Sequence, residues 1–84
     1  MNMLNEIFDL FEDEQFLIAD GLDDAVIGLD ESTMRLIYST SKSIQILMEN
    51  GLNPEDAIEF FEYNIKGAYM GEKTPIWCFD GYLI

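Results

Sequence analysis

The chain has 84 residues, 17 of them acidic and 4 basic, with no histidine, a formal net charge of −13 and 49% hydrophobic content. That length and apolar content suit one domain, residues 1–84, burying roughly 60% of its unfolded surface. The charge argues against direct binding to nucleic acid or to an anionic bilayer, and the lone Cys78 excludes an intrachain disulfide and the Cys-rich zinc patterns.

Leu4, Ile7, Phe8 and Phe11 recur at i, i+3, i+4 and i+7, which predicts an amphipathic helix over Met1 to Phe11. The acidic group Glu12, Asp13 and Glu14 follows, electrostatically wrong for a helix C-terminus, so the helix frays near Glu12 or runs on to about Phe16. Residues 1–15 are expected to pack at home, with a peripheral role in docking on another chain as the alternative. Phe16 to Ala19 is a short apolar run closed by Asp20 and Gly21.

Ala25 to Leu29 is rich in strand formers and ends at the polar turn Asp30 to Thr33. Met34 to Tyr38 follows, with Met34, Leu36 and Tyr38 on one face of the pleat, and the two runs make an antiparallel hairpin. Gly28 inside the first strand points to a bulge or to close packing of a helix. Ser39, Thr40 and Ser41 offer N-caps for a helix from Ser41 to Asn50, stopped by Gly51.

The longest helical pattern starts at Asn53, an N-cap, with Pro54 at the first helical position and Glu55 and Asp56 in the first turn. Ala57, Ile58, Phe61, Ile65, Ala68 and Tyr69 form its apolar side, and Glu55, Glu59, Glu62 and Lys66 the opposite one. Phe60, Tyr63 and Gly67 lie between, as a second packing seam or a partner surface. Gly71 ends this helix, and Thr74 to Phe79 reads as a strand with Pro75 near its beginning or on an edge. Asp80 to Ile84 turns and runs out apolar, tucked into a groove; a dangling tail would be a docking peptide. The fold expected from the order α-β-β-α-α-β is α+β, a three-stranded, mainly antiparallel sheet with helices packed on one face.

From Glu55 to Trp77 the chain reads EDAIEFFEYNIKGAYMGEKTPIW, and there it resembles a set of small uncharacterised acidic bacteriophage proteins. Their shared pattern is an EEAIEYFEFN-like helix followed by a GAYVGE-x-TPI-like exit. Asp24 to Asp30 and Tyr38 to Met48 are similar to the preceding part of those proteins, and the N-terminal helix to about Glu14 lies outside the resemblance. The family carries no assigned activity, so the resemblance implies a phage context and little chemistry.

Enzymatic function is not expected. Histidine, the usual general base near neutral pH, is missing, and Cys78 between Trp77 and Phe79 reads as a half-buried strand residue. Asp20, Asp23, Asp24, Asp30 and Glu31 lack the spacing of a calcium loop, so neither metal nor cofactor is expected. The charge points instead to a binding protein. Residues four apart on a helix are separated by about 6 Å along its axis, so Glu55, Glu59 and Glu62 form a row that a basic, nucleic-acid-binding groove could accept in place of phosphates. Asp20, Asp23 and Asp24 form a further acidic cluster. The function read from this is an inhibitor or decoy of a basic host or defence protein in the host cytoplasm, anti-CRISPR-like activity being one member of that class. The alternative is a non-inhibitory interaction or assembly module using the aromatic flank of Phe60 and Tyr63, as in a homodimer.

Overall fold

Strand β2 (Arg35–Ser39) lies in the middle of a three-stranded sheet of order β1-β2-β3, with β1 spanning Val26–Asp30 and β3 spanning Ile76–Cys78. The computed structural model describes residues 2–82 of the chain. Three helices, α1 (Met3–Leu10), α2 (Thr40–Glu49) and α3 (Pro54–Phe60), complete the α+β fold, with a 3₁₀ turn at Asp23–Ala25 and a π-helical segment at Phe61–Lys66 continuing α3. No helix of the described residues is long and apolar enough to cross a membrane.

β1 and β2 form the expected antiparallel hairpin. Its turn is organised by Asp30, whose carboxylate accepts from Ser32 N (3.2 Å), Ser32 Oγ (2.8 Å) and Thr33 Oγ1 (2.8 Å). Met34 is in the left-handed region at φ 55° and belongs to the turn, so the strand begins one residue later than its hydrophobic alternation suggests. The register slips between Val26 and Gly28, a β-bulge beside the glycine that anticipates it.

β3 pairs with β2 in parallel, with Ile37 opposite Ile76 and Ser39 opposite Cys78. The sheet is therefore mixed and not mainly antiparallel. The two helices between β2 and β3 carry the chain back to the starting end, the kind of long crossover that parallel pairing requires.

The helices cover the sheet face that carries Leu29, Leu36, Tyr38 and Trp77. Leu4 and Ile7 of α1 are buried there with Leu22, Ala25, Val26, Leu36 and Tyr38. Helix α1 ends at Leu10, where the acids following Phe11 would oppose its dipole. A second cluster joins Ile44 and Leu47 of α2 to Ala57 and Phe61. Trp77 packs against both, with its ring 4.9 Å from Tyr38 and 5.3 Å, edge-on, from Phe61.

Tyr38 is fully buried, and its hydroxyl accepts the Ala19 N–H at 2.8 Å. Burial raises its pKa, with Asp23 adding to the rise and the Ala19 bond opposing it. A folded-state pKa raised in this way contributes stability below the ordinary tyrosine value of about 10, lost as pH climbs toward the raised one. Tyr38→Phe should cost about 1–2 kcal/mol at neutral pH, because the Ala19 donor loses its acceptor. Denaturant melts of this variant above pH 10 should show a shallower loss of stability than the parent. A residual slope is expected from Tyr82, raised chiefly because its hydroxyl donates a hydrogen bond to Glu62.

Both ends of α2 are closed by the sequence signals expected of them, shifted by one residue. Ser39 is the N-cap, accepting from Lys42 N at 3.1 Å. At the other end Gly51 (φ 115°) supports a Schellman pair, Leu52 N to Leu47 O (3.2 Å) and Gly51 N to Met48 O (3.0 Å). A further cap comes from far along the chain. Asp80 accepts from Ser41 N at 2.8 Å and from Ser39 Oγ at 2.5 Å. Burial alone would raise the Asp80 carboxyl, but these donors outweigh it and hold the pKa below the usual aspartate range.

A depressed carboxylate pKa gives stability that is present above the unfolded value of about 4 and is lost as pH falls through the folded one. Asp80→Ala should therefore cost about 1–2 kcal/mol at neutral pH, the range of a lost N-cap. Urea melts between pH 7 and pH 2 should show the gap to the parent closing only below pH 4. A constant gap would mean that the carboxylate charge is not what caps α2. Asp30, lowered mainly by its Ser32 and Thr33 bonds, adds to the parent's acid sensitivity with the same sign.

Candidate functional site

The start of α3 is as expected. Asn53 Oδ1 accepts from Asp56 N at 2.8 Å, Pro54 occupies the first turn, and Glu55 and Asp56 sit at the positive end of the helix. The departure comes at Phe61, where the helix widens into its π segment. Wider i→i+5 turns hold more residues each, so the side chains beyond Phe61 lag behind the α-helical phase. Helical structure ends at Lys66, and Gly67 is its cap. The helix therefore does not reach Gly71, and Ala68 and Tyr69, read as part of the apolar side, are exposed. The exit is instead a loop stapled by Thr74: its hydroxyl donates to Gly71 O (2.6 Å) and accepts from Met70 N (2.8 Å), and Gly71 has φ 110°.

The expected acidic row does not form as one surface. Glu55 and Glu59 are exposed, but Glu62 is half-buried and engaged, pairing with Lys66 Nζ at 3.2 Å and accepting the Tyr82 hydroxyl at 3.0 Å. Tyr82 in turn holds the C-terminal segment, its ring 5.2 Å from Phe79. The expectation of a tucked tail is met as far as Tyr82, while Leu83 and Ile84 lie outside the described residues.

What α3 does assemble is a groove of about 370 Å³ lined by Leu52, Asp56, Glu59, Phe60, Tyr63 and Asn64. Asp56, Glu59 and Phe60 follow at i, i+3 and i+4, the spacing of one helical stripe, and Tyr63, from the π segment, completes the lining. Phe60 is 44% and Tyr63 79% exposed, and among the described residues neither ring stacks on another aromatic side chain. The acidic face and the aromatic flank, read from the sequence as rival surfaces, thus meet through Glu59. Asp56 was legible only as a first-turn acid; its three-residue spacing to Glu59 was the signal that places it beside the aromatics.

Asp20, Asp23 and Asp24 are exposed on the segment leading into β1, and none of them lines this groove. Asp20 stands at a separate, mostly apolar crevice of about 220 Å³ that also involves Ile18, Leu22, Ile65 and Trp77. Asp24 accepts from Asn2 Nδ2 at 3.3 Å. Among the described residues no group of three or more carboxylate and thiol side chains is placed to hold a metal ion.

The basic residues are positioned elsewhere. Lys66 is paired with Glu62, while Lys73 pairs with Glu14 at 3.1 Å and sits 5.9 Å from the Phe16 ring centroid. Arg35 Nε donates to Thr74 O at 2.6 Å. Only two of the 17 carboxylate side chains, Glu14 and Glu62, make ion pairs among the described residues. No protein-family model, curated protein or solved structure matches the chain.

Proposed function

We propose that this is a small binding protein that occupies a basic, nucleic-acid-binding surface of another protein, with its own carboxylates standing where phosphates would bind. The supporting observation is the uncompensated charge: 17 acids, of which two are ion-paired among the described residues. Solubility asks for much less, a net charge of magnitude about 2–8 in a domain of this size. The exposed carboxylates of Glu55, Asp56 and Glu59, together on the first two turns of α3, form the contact face in this reading.

In this reading the protein acts by binding and not by catalysis; Asp30 and Asp80, whose carboxyls are held low by hydrogen bonds from Ser32, Thr33, Ser39 and Ser41, serve the turn and the α2 cap. In this reading the protein is phage-encoded, works in the host cytoplasm and inhibits a host or defence enzyme, anti-CRISPR-like inhibition being one form of it. A second reading, an assembly module docking or dimerising through an aromatic patch, has the exposure of Phe60 and Tyr63 behind it.

The separating experiment is capture from a bacterial lysate on the immobilised protein with stepped salt elution. A nucleic-acid-binding protein released at moderate salt, and displaced by added DNA, is the expected result. Capture that resists salt and ignores DNA would replace the decoy reading with aromatic docking.

A further inference from the structure

Resting on the reading above, we propose that the α3 groove is a socket for an arginine side chain of the basic partner. The guanidinium would lie against the exposed Phe60 or Tyr63 ring and donate to Asp56 or Glu59, with its aliphatic stem on Leu52. Charge complementarity identifies the occupant: both ionised side chains lining the groove are carboxylates, and none of the four basic residues lines it. Among the described residues neither carboxylate accepts a hydrogen bond or makes an ion pair, whereas Glu62 on the same helix is fully engaged.

The walls select between the two cations. A guanidinium is planar, more weakly hydrated than an ammonium, and can stack on an aromatic face while its edge bonds a carboxylate. An ammonium is a compact, strongly hydrated charge that gains less from apolar and aromatic walls. The groove sets two acids, Asp56 and Glu59, beside two rings, Phe60 and Tyr63, so acid and ring reach the same occupant. Carboxylates alone would accept either cation.

The test compares two short peptides of equal length and charge, one built on arginine and one on lysine, titrated into the isotope-labelled protein by NMR. The arginine peptide is expected to bind about three- to tenfold tighter, the range of an exposed to partly desolvated cation–π contact. Its largest shifts should fall on Phe60, Tyr63 and their neighbours. Phe60→Leu with Tyr63→Leu should abolish the preference, weakening the arginine peptide more than the lysine peptide until the two affinities meet; both side chains are exposed, and a matching melt would show that the fold is kept. Equal affinities in the parent, a preference that survives in the leucine variant, or shifts mapping elsewhere would each overturn the socket. Equal, salt-sensitive binding of both peptides would do so while leaving the decoy reading standing, and binding of neither would remove both.

Discussion

Phe61→Ala is expected to lower stability by about 3–5 kcal/mol, the range for removing a fully buried aromatic ring. Total stabilities of small domains are about 5–15 kcal/mol, so this single change should bring the protein close to its folding threshold. Phe61 is 0% exposed; it packs with Ile44, Leu47 and Ala57 and meets the only tryptophan edge-on. Trp77 therefore gives the readout, with emission shifting red at a lower urea concentration than in the parent. The neighbouring Phe60→Ala is the control, expected to stay within about 0.5 kcal/mol as an exposed substitution. If the costs of the two were reversed, the phase described for α3 and its π continuation would be wrong.

The largest effect on binding is expected from Asp56→Lys combined with Glu59→Lys. Placing like charges across an interface costs several kcal/mol, so affinity for the basic partner, or for an arginine-rich peptide, should fall by about a hundredfold or more. Stability should change little, since Asp56→Lys forfeits only the first-turn dipole contact, about 0.3–1 kcal/mol. Glu62→Lys would be a poor probe, because it also breaks the Lys66 pair and the Tyr82 bond. Glu31→Lys with Glu49→Lys makes the same change in net charge at exposed positions outside the groove. Titration calorimetry at two salt concentrations would separate the pairs. Equal losses from both would mean that the overall field, and not the α3 face, carries the interaction.

Local chemistry made most of the elements legible. Asn53-Pro54 started a helix, Asn50-Gly51 ended one, and Asp30 to Thr33 made a turn, each because a few neighbouring atoms decide the backbone. The parallel direction of β3 was not legible from the strand itself, since Ile76–Cys78 carries no signal of orientation; only the length of the helical crossover constrains it. The π segment was equally hidden. Phe61 to Lys66 fits a 3.6-residue repeat well enough that Ala68 and Tyr69 extend the apolar side on paper, and only packing against Trp77 and Tyr82 distinguishes the wider turn. That error also governs the site: ideal α-helical phase puts Glu62 in line with Glu55 and Glu59, whereas the fold turns it toward Tyr82. Asp80 as a cap for α2 was beyond local reasoning, because the two positions meet only in the finished fold.

That cap has a kinetic side. Asp80 and Ser39 are 41 residues apart in sequence. At synthesis rates of about 5–20 residues per second, the start of α2 precedes its distant acceptor by roughly 2–8 s, and β3, the partner of β2, follows α3 in the same interval. Until then the nascent hairpin and α2 present a row of unpaired β2 backbone groups. Such an open strand edge invites pairing with other chains, so the last residues of the fold act as a closure against aggregation as much as a support for the helix.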